Sequence, residues 1–223
     1  MRRPPGRWLF QFFARPYEML VFQRAWREHA RHMLDRLPAA VRGPRLVLDV
    51  GCGPGVSALA MLAGAPGDRF VGLDLSRQML ARAAAHRGAE GVDPDRLPLV
   101  LGDVTRLPVA AGRFDGVTGH SFLYLVSDQA GALADIRRAL RPGGRVVLLE
   151  PASGPELVPV LRSLRHGARF AASMACWRVV SGRVGRFTPG RLRSTLEAAG
   201  LAAIRVEPTL DGLGLLAVAE RPG

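Results

Sequence analysis

An α/β fold built on a doubly wound, mostly parallel sheet is predicted by two features of this sequence. Segments of strand character alternate with segments of helical periodicity from residue 45 to about residue 150, the pattern of parallel strands joined by crossover helices. The first of these strands also runs straight into three glycines, Gly51, Gly53 and Gly55, where the first crossover helix must start. With 223 residues the chain suffices for one sizeable domain and is short for two.

The elements follow in order. "RLVLDV" reads as a buried strand and "VSALAMLAG" as its helix. "RFVGLDL" is a second strand, and "SRQMLARAAAHR" is a helix with Ser76 as its N-cap. "LPLVLGD" and "FDGVTGH" are the third and fourth strands. "SDQAGALADIRRALRPGG" is a helix that stops at Pro-Gly-Gly, and "RVVLLEP" is a fifth strand. The Arg-rich stretch that follows is less regular, and a helix from about Thr188 to Ala199 comes after it. "LAAIRVEP" and "LGLLAVAER" close the chain as two strands turning at Asp211-Gly212. The expected architecture is a seven-stranded, Rossmann-like sheet in a single domain over residues 44–223. Residues 1–43 form a basic, aromatic helical cap, and residues 152–187 an Arg-rich insertion.

Composition removes several classes. No apolar run approaches the about 20 residues of a membrane span, and the N-terminus lacks the apolar core and cleavage site of an export signal. Cys52 and Cys176 make neither a disulfide framework nor a metal cluster, and a reducing cytoplasm is the simplest setting. No metal is expected. The net charge of +12 is concentrated. Residues 1–36 carry eight arginines against Glu18, Glu28 and Asp35, a balance of +5, and residues 157–196 carry eight arginines and no acid. The remainder is close to neutral.

The glycine cluster has a ligand-binding logic. In a doubly wound sheet the ligand lies beyond the carboxyl ends of the strands, beside the first strand-to-helix turn. Glycine lets the backbone approach it, and the helix N-terminus offers free N–H groups. The spacing is D-x-G-x-G-x-G; a dinucleotide fingerprint needs a glycine where Val56 stands. Asp74, at the end of the second strand, suits a ribose diol.

"LDVGCGPG", "VGLDLS", "GDVTRLP", "FDGVT" and "LRPGGRVVLLEP" occur in the order and spacing of class I S-adenosylmethionine-dependent methyltransferases, which the chain resembles over about residues 44–151. The likeness is greatest to the ubiquinone/menaquinone biosynthesis C-methyltransferase group and its small-molecule relatives. It implies S-adenosyl-L-methionine as cofactor and S-adenosyl-L-homocysteine as product. By the same resemblance, Asp49, Gly51, Cys52 and Gly53 surround the methionine part, with Asp49 near its ammonium group. Asp74 accepts from the ribose hydroxyls, Leu75 and Met79 flank the adenine, and Asp103 takes the exocyclic amine with the Val104 backbone beside the ring. The residues alone also allow Asp74 as a helix cap, Met79 as core and Gly-Asp-Val as a turn.

Methyl transfer needs positioning, exclusion of water and in some cases a base. "GHSFLYLVSD" should border the transferring methyl, which makes His120 a cofactor neighbour and the candidate base, with an ordinary pKa of about 6.5. Tyr124 is a second catalytic candidate; Glu150, Tyr17, His29 and His32 are further pocket candidates. The chain has Tyr124-Leu125 where the quinone-methylating group carries Arg-Asn. It also lacks the Asn/Asp-Pro-Pro-aromatic motif of nucleic-acid amino-methyltransferases, and neither cysteine is placed for cytosine chemistry. Those absences weigh against the alternative, an RNA- or other nucleic-acid-directed protein using its arginines.

The favoured acceptor is small and lipophilic, met at an anionic membrane surface by a protein that is cytoplasmic or peripheral on the inner face of the membrane. Trp8, Phe10, Phe12, Phe13, Tyr17, Phe22 and Trp26 crowd the first 26 residues. Phe22, Trp26, Ala30, Met33 and Leu37 recur at helical spacing, with Arg24, Arg27 and Arg31 on another face, as in an interfacial helix.

Overall fold

The computed structural model describes residues 23–40, 43–155 and 157–223. Trp8, Phe10, Phe12, Phe13, Tyr17 and Phe22 lie outside the described residues. Seven strands form one sheet: β1 (Leu46–Val50), β2 (Arg69–Asp74), β3 (Leu99–Leu101), β4 (Phe114–His120), β5 (Leu140–Pro151), β6 (Ala202–Thr209) and β7 (Gly214–Glu220). Their order is β3-β2-β1-β4-β5-β7-β6. β1 to β5 pair in parallel, and β7 runs antiparallel to both β5 and β6. The direction of winding reverses between β1 and β4, which opens a crevice at their carboxyl ends.

Side-chain alternation along the strands divides the core into two layers. Val47 of β1 and Val147 and Leu149 of β5 face one layer, built with α1 (Arg24–Leu34), α2 (Val56–Gly64) and α6 (Ala168–Val184). Leu48, Val50, Val146 and Leu148 face the other, built with α4 (Gln129–Ala139) and α7 (Pro189–Ala198). The period of two along a strand is what permits helices on both faces. α3 (Arg77–Ala89) lies against β2 and β3, and α5 (Leu157–Arg162) precedes a 3₁₀ turn, Ser163–His166. The expected Ser76 cap forms, and two further caps accompany it. Ser76 Oγ accepts from the Met79 N–H, Asp128 from Gly131, and Thr188 from Arg191 ahead of Pro189 at the first helical position.

Two expectations change. The stretch after β5 is not irregular, for it contains the 17-residue α6. Phe170, Met174, Trp177 and Ser181 fall at helical spacing and are buried, and each large apolar side chain contributes roughly 1.5–3 kcal/mol. Arg178 interrupts that apolar stripe and is itself buried, its guanidinium donating to the carbonyls of Ala152, Leu213 and Gly154. The second change concerns α1. Trp26, Ala30, Met33 and Leu37 are buried in the α2 and α6 layer, so this face is core and not an interfacial surface. Arg24 pairs with Glu28 and Arg27 with Glu90. Among the described residues, no helix is long and apolar enough to cross a membrane.

Candidate active site

Gly51, Gly53 and Gly55 take φ of +64°, +54° and +85°, a left-handed conformation that costs an L-residue roughly 1–2 kcal/mol. Gly51 has a second constraint: a Cβ there would stand 2.7 Å from Cβ of Phe122. Gly53 has open space where a Cβ would lie. Two bonds fix the loop from outside, Cys52 N–H to the Leu73 carbonyl (3.0 Å) and His86 Nδ1 against the Pro54 carbonyl (2.9 Å). The Cys52 thiol is buried and pushed well above its usual range by that burial, which makes it packing and not a nucleophile.

Two carboxylates flank this loop. Asp74 Oδ2 accepts from Gly53 N–H at 2.9 Å and Oδ1 from Ser76 N–H at 2.8 Å. It therefore caps and orients at once, with lone pairs left on both oxygens for further donors. Burial raises its pKa, against the pull of the Ser76, Gly53 and Leu75 amides. Asp49, aligned with Gly72 and Thr118 in the sheet, is buried. Its Oδ1 accepts from Thr118 Oγ1 at 2.8 Å, while Oδ2 is buried with no partner among the described residues. Burial pushes its pKa up to about 7, the Thr118 hydroxyl pulls it down, and the Asp74 charge adds to the rise. A buried carboxylate oxygen with nothing bonded to it is a site for a cation.

The adenine candidates divide. Leu75 is exposed just beyond β2 and Met79 is buried at the start of α3. Asp103 spends Oδ1 on the N–H and hydroxyl of Thr105, so Gly-Asp-Val is a turn as well as a candidate contact. Gly102 N–H, donating to the Asp74 carbonyl at 3.1 Å, brings Asp103 and the half-buried Val104 to the same rim.

His120 ends β4, one position beyond the pair Val50 and Gly119. Its Nδ1 lies 2.8 Å from Ser57 Oγ on α2, and its ring centroid lies 4.9 Å from that of Trp26. Burial, and then repulsion from His29, depress its pKa to about 4. That departs from the ordinary value on which a neutral-pH base rests. Trp26 also meets Phe170 at 5.6 Å and Trp177 at 5.8 Å. Trp177 Nε1 donates to Ser121 Oγ at 2.6 Å, holding a residue with φ of +60°. His29 stacks on Phe170, whereas His32 is exposed beside Asp35. Tyr124 is buried among core residues of the α4 and α7 layer.

Glu150 is an anchor. Fully buried, it accepts from the N–H groups of Phe122 (3.2 Å) and Leu123 (2.8 Å) through Oε1 and of Tyr124 (3.2 Å) through Oε2. Burial pushes its pKa up to about 8 in spite of those three donors. Thr118, Ser57, Phe122 and the Trp26–Phe170–Trp177 group were not foreseen. A hydroxyl two residues before His120, and aromatics at helical spacing in residues 170–177, were the available signals.

Residues 47–144 match the model of a methyltransferase domain. A demethylmenaquinone methyltransferase of Thermus thermophilus is 29% identical over 211 residues, covering 88% of this chain and 90% of that enzyme. The chain is thus similar to methyltransferases over this stretch. A ubiquinone/menaquinone biosynthesis C-methyltransferase of Paracoccus denitrificans is 39% identical over 132 residues, 59% of this chain. The chain spans 51% of that relative and 37% of a Streptomyces fradiae transposon protein that it also matches. A Haloferax volcanii methyltransferase, solved with a methyltransferase activator, superposes with a TM-score of 0.73 over 97% of both chains at 22% identity, a likeness of fold. The residues fit S-adenosyl-L-methionine, the cofactor implied by the sequence resemblance. Asp49 Oδ2 is free for an ammonium, Asp74 for a diol, and the space at Gly53 for close approach.

Proposed function

We propose that this protein transfers a methyl group from S-adenosyl-L-methionine to a small, lipophilic acceptor of quinone-, lipid- or secondary-metabolite type, met at an anionic membrane surface. One observation carries the reading: the Asp49–Asp74 glycine-loop site adjoins His120, which is enclosed by Trp26 and its aromatic neighbours. An apolar, aromatic wall suits a planar or hydrocarbon acceptor and keeps water from the site. Identity to quinone methyltransferases supports the same class.

When bound, the cofactor supplies a methyl group on a sulfonium, activated for in-line displacement. Asp49 would hold its ammonium group and Asp74 its ribose diol, and the closeness of Phe122 to Gly51 would set how nearly the loop approaches. Over the neutral range His120 is uncharged, fixed by Ser57, and contributes a hydrogen-bonding edge to the acceptor pocket. Glu150 holds the loop after β4 in place by its three backbone N–H contacts.

The arginine segment gives little support to nucleic acid. Arg165 pairs with Asp211, Arg178 is buried on backbone carbonyls, and Arg186 reaches the Arg178 carbonyl. The test is calorimetry with S-adenosylmethionine and NAD, followed by transfer of labelled methyl to a demethylated quinone. Binding of NAD alone, or transfer only to RNA, would reject the reading.

A further inference from the structure

Among the described residues seven large apolar side chains are exposed, and five of them, Leu157, Val158, Leu161, Leu164 and Val179, lie in one 23-residue stretch. Leu157, Val158 and Leu161 share one side of α5, and Leu164 follows in the 3₁₀ turn. The opposite side is used for packing: Pro159 and Ser163 are buried, and Val160 packs against the core layer of α1 and α6. Leu157 is 73% exposed, the largest value among the seven. Exposed arginines are interleaved with this ridge: Arg162, Arg165 and Arg169. The segment 157–196 contains no acid, although Glu156 directly precedes it, and Asp211 pairs with Arg165 at 2.6 Å.

We infer that α5 and its 3₁₀ extension are a docking surface for an anionic lipid bilayer, inserting Leu157, Leu161 and Leu164 while the guanidiniums of Arg162, Arg165 and Arg169 engage headgroups. Aliphatic side chains beside cations, without aromatics or methionine, match an interfacial anchor better than the core of a protein–protein interface. α6, which continues from this turn, carries Phe170 and Trp177 to the wall around His120. Docking here would thus place the acceptor site near the membrane. This purpose rests on the lipophilic-acceptor reading, whereas the docking itself is read out without it.

The experiment is flotation of the full chain with vesicles of equal parts phosphatidylcholine and phosphatidylglycerol, against phosphatidylcholine alone. Binding is expected to the anionic vesicles and to fall with salt. Leu157→Ser/Leu161→Ser/Leu164→Ser should weaken it by at least about tenfold. Arg162→Gln/Arg169→Gln should weaken it by about fivefold per arginine, while the corresponding lysine pair keeps it. Both sets alter exposed side chains, so circular dichroism and cofactor affinity should stay unchanged. Methyl transfer to a detergent-solubilised acceptor should also survive, which separates failure of docking from failure of the enzymatic reading. Absence of binding to anionic vesicles at low salt overturns the inference, as does wild-type binding by the serine variant. So does a dimer in sedimentation that the serine variant dissolves, which would make this face an interface between two copies.

Discussion

Asp49 is a buried carboxyl with one oxygen left for a ligand. Its carboxyl is raised to about 7 by burial, with Oδ2 bonded to nothing among the described residues. An ammonium placed against it favours the anion, so cofactor binding at about pH 6 should release close to one proton. Calorimetry in buffers of different ionisation enthalpy reads that proton directly, and Asp49→Asn should abolish it. Asp74→Ala removes two charge-assisted acceptors and should weaken cofactor binding by on the order of 2–4 kcal/mol. Near-normal affinity in a folded variant would exclude Asp74 from the site. His120 titrates at about 4, so His120→Ala should leave no missing limb near neutrality in the pH-rate profile. A limb near 6.5 that disappears with the side chain would restore it as a general base.

At the scale of elements, one side chain of β5 takes up three backbone N–H groups of the segment after β4. Three consecutive N–H groups, from Phe122 to Tyr124, end on Glu150. Glu150→Ala leaves them without their acceptor in a buried place and should cost about 2–4 kcal/mol, measured as a shift in the urea midpoint. Cofactor affinity should fall with it, because the Phe122 side chain stands against Gly51. Some ends were legible, since "VSALAMLAG" is α2 and "FDGVTGH" is β4, residue for residue. Others were not: α4 stops at Ala139, β5 begins at Leu140, ahead of the expected Pro-Gly-Gly stop, and β3 keeps only Leu99–Leu101 of "LPLVLGD". α6 was not legible. Its arginines and the intrusion of Arg178 into the buried stripe hid a helix whose stability comes from tertiary contact with α1 and the sheet, not from propensity.

For the whole molecule, buried ionisable groups give stability a definite dependence on pH. Asp49 and Glu150 have raised folded values, so the stability each contributes is complete below its unfolded value and is lost as pH rises through about 7 and about 8. His120 has a depressed value, so its contribution is complete above about 6.5 and is lost as pH falls toward about 4. Of these three groups, only the two acids act above about 6.5. Without cofactor, the urea midpoint should therefore fall between about pH 6.5 and 8, and less steeply in Asp49→Asn. A flat or rising midpoint would show that neither acid is held protonated.

The sequence by itself determined the alternation of strands and helices from β1 to β5, the left-handed glycine loop and the two carboxylates beside it. Each of these is local: a period of two or 3.6, a residue tolerating positive φ, an acid at a strand end. Only the tertiary structure decided what those residues meet. Asp49 has an orphaned oxygen because Thr118, 69 positions away, satisfies the other one. The pKa of His120 is depressed because burial, and then the charge of His29, disfavour its protonated form, while Trp26 from α1 and Ser57 from α2 lie against its ring. The aromatic side of α1 became core, while the leucines of α5 stayed outside. Amphipathic periodicity says that a helix has two faces; which face is buried depends on what else the fold brings against it.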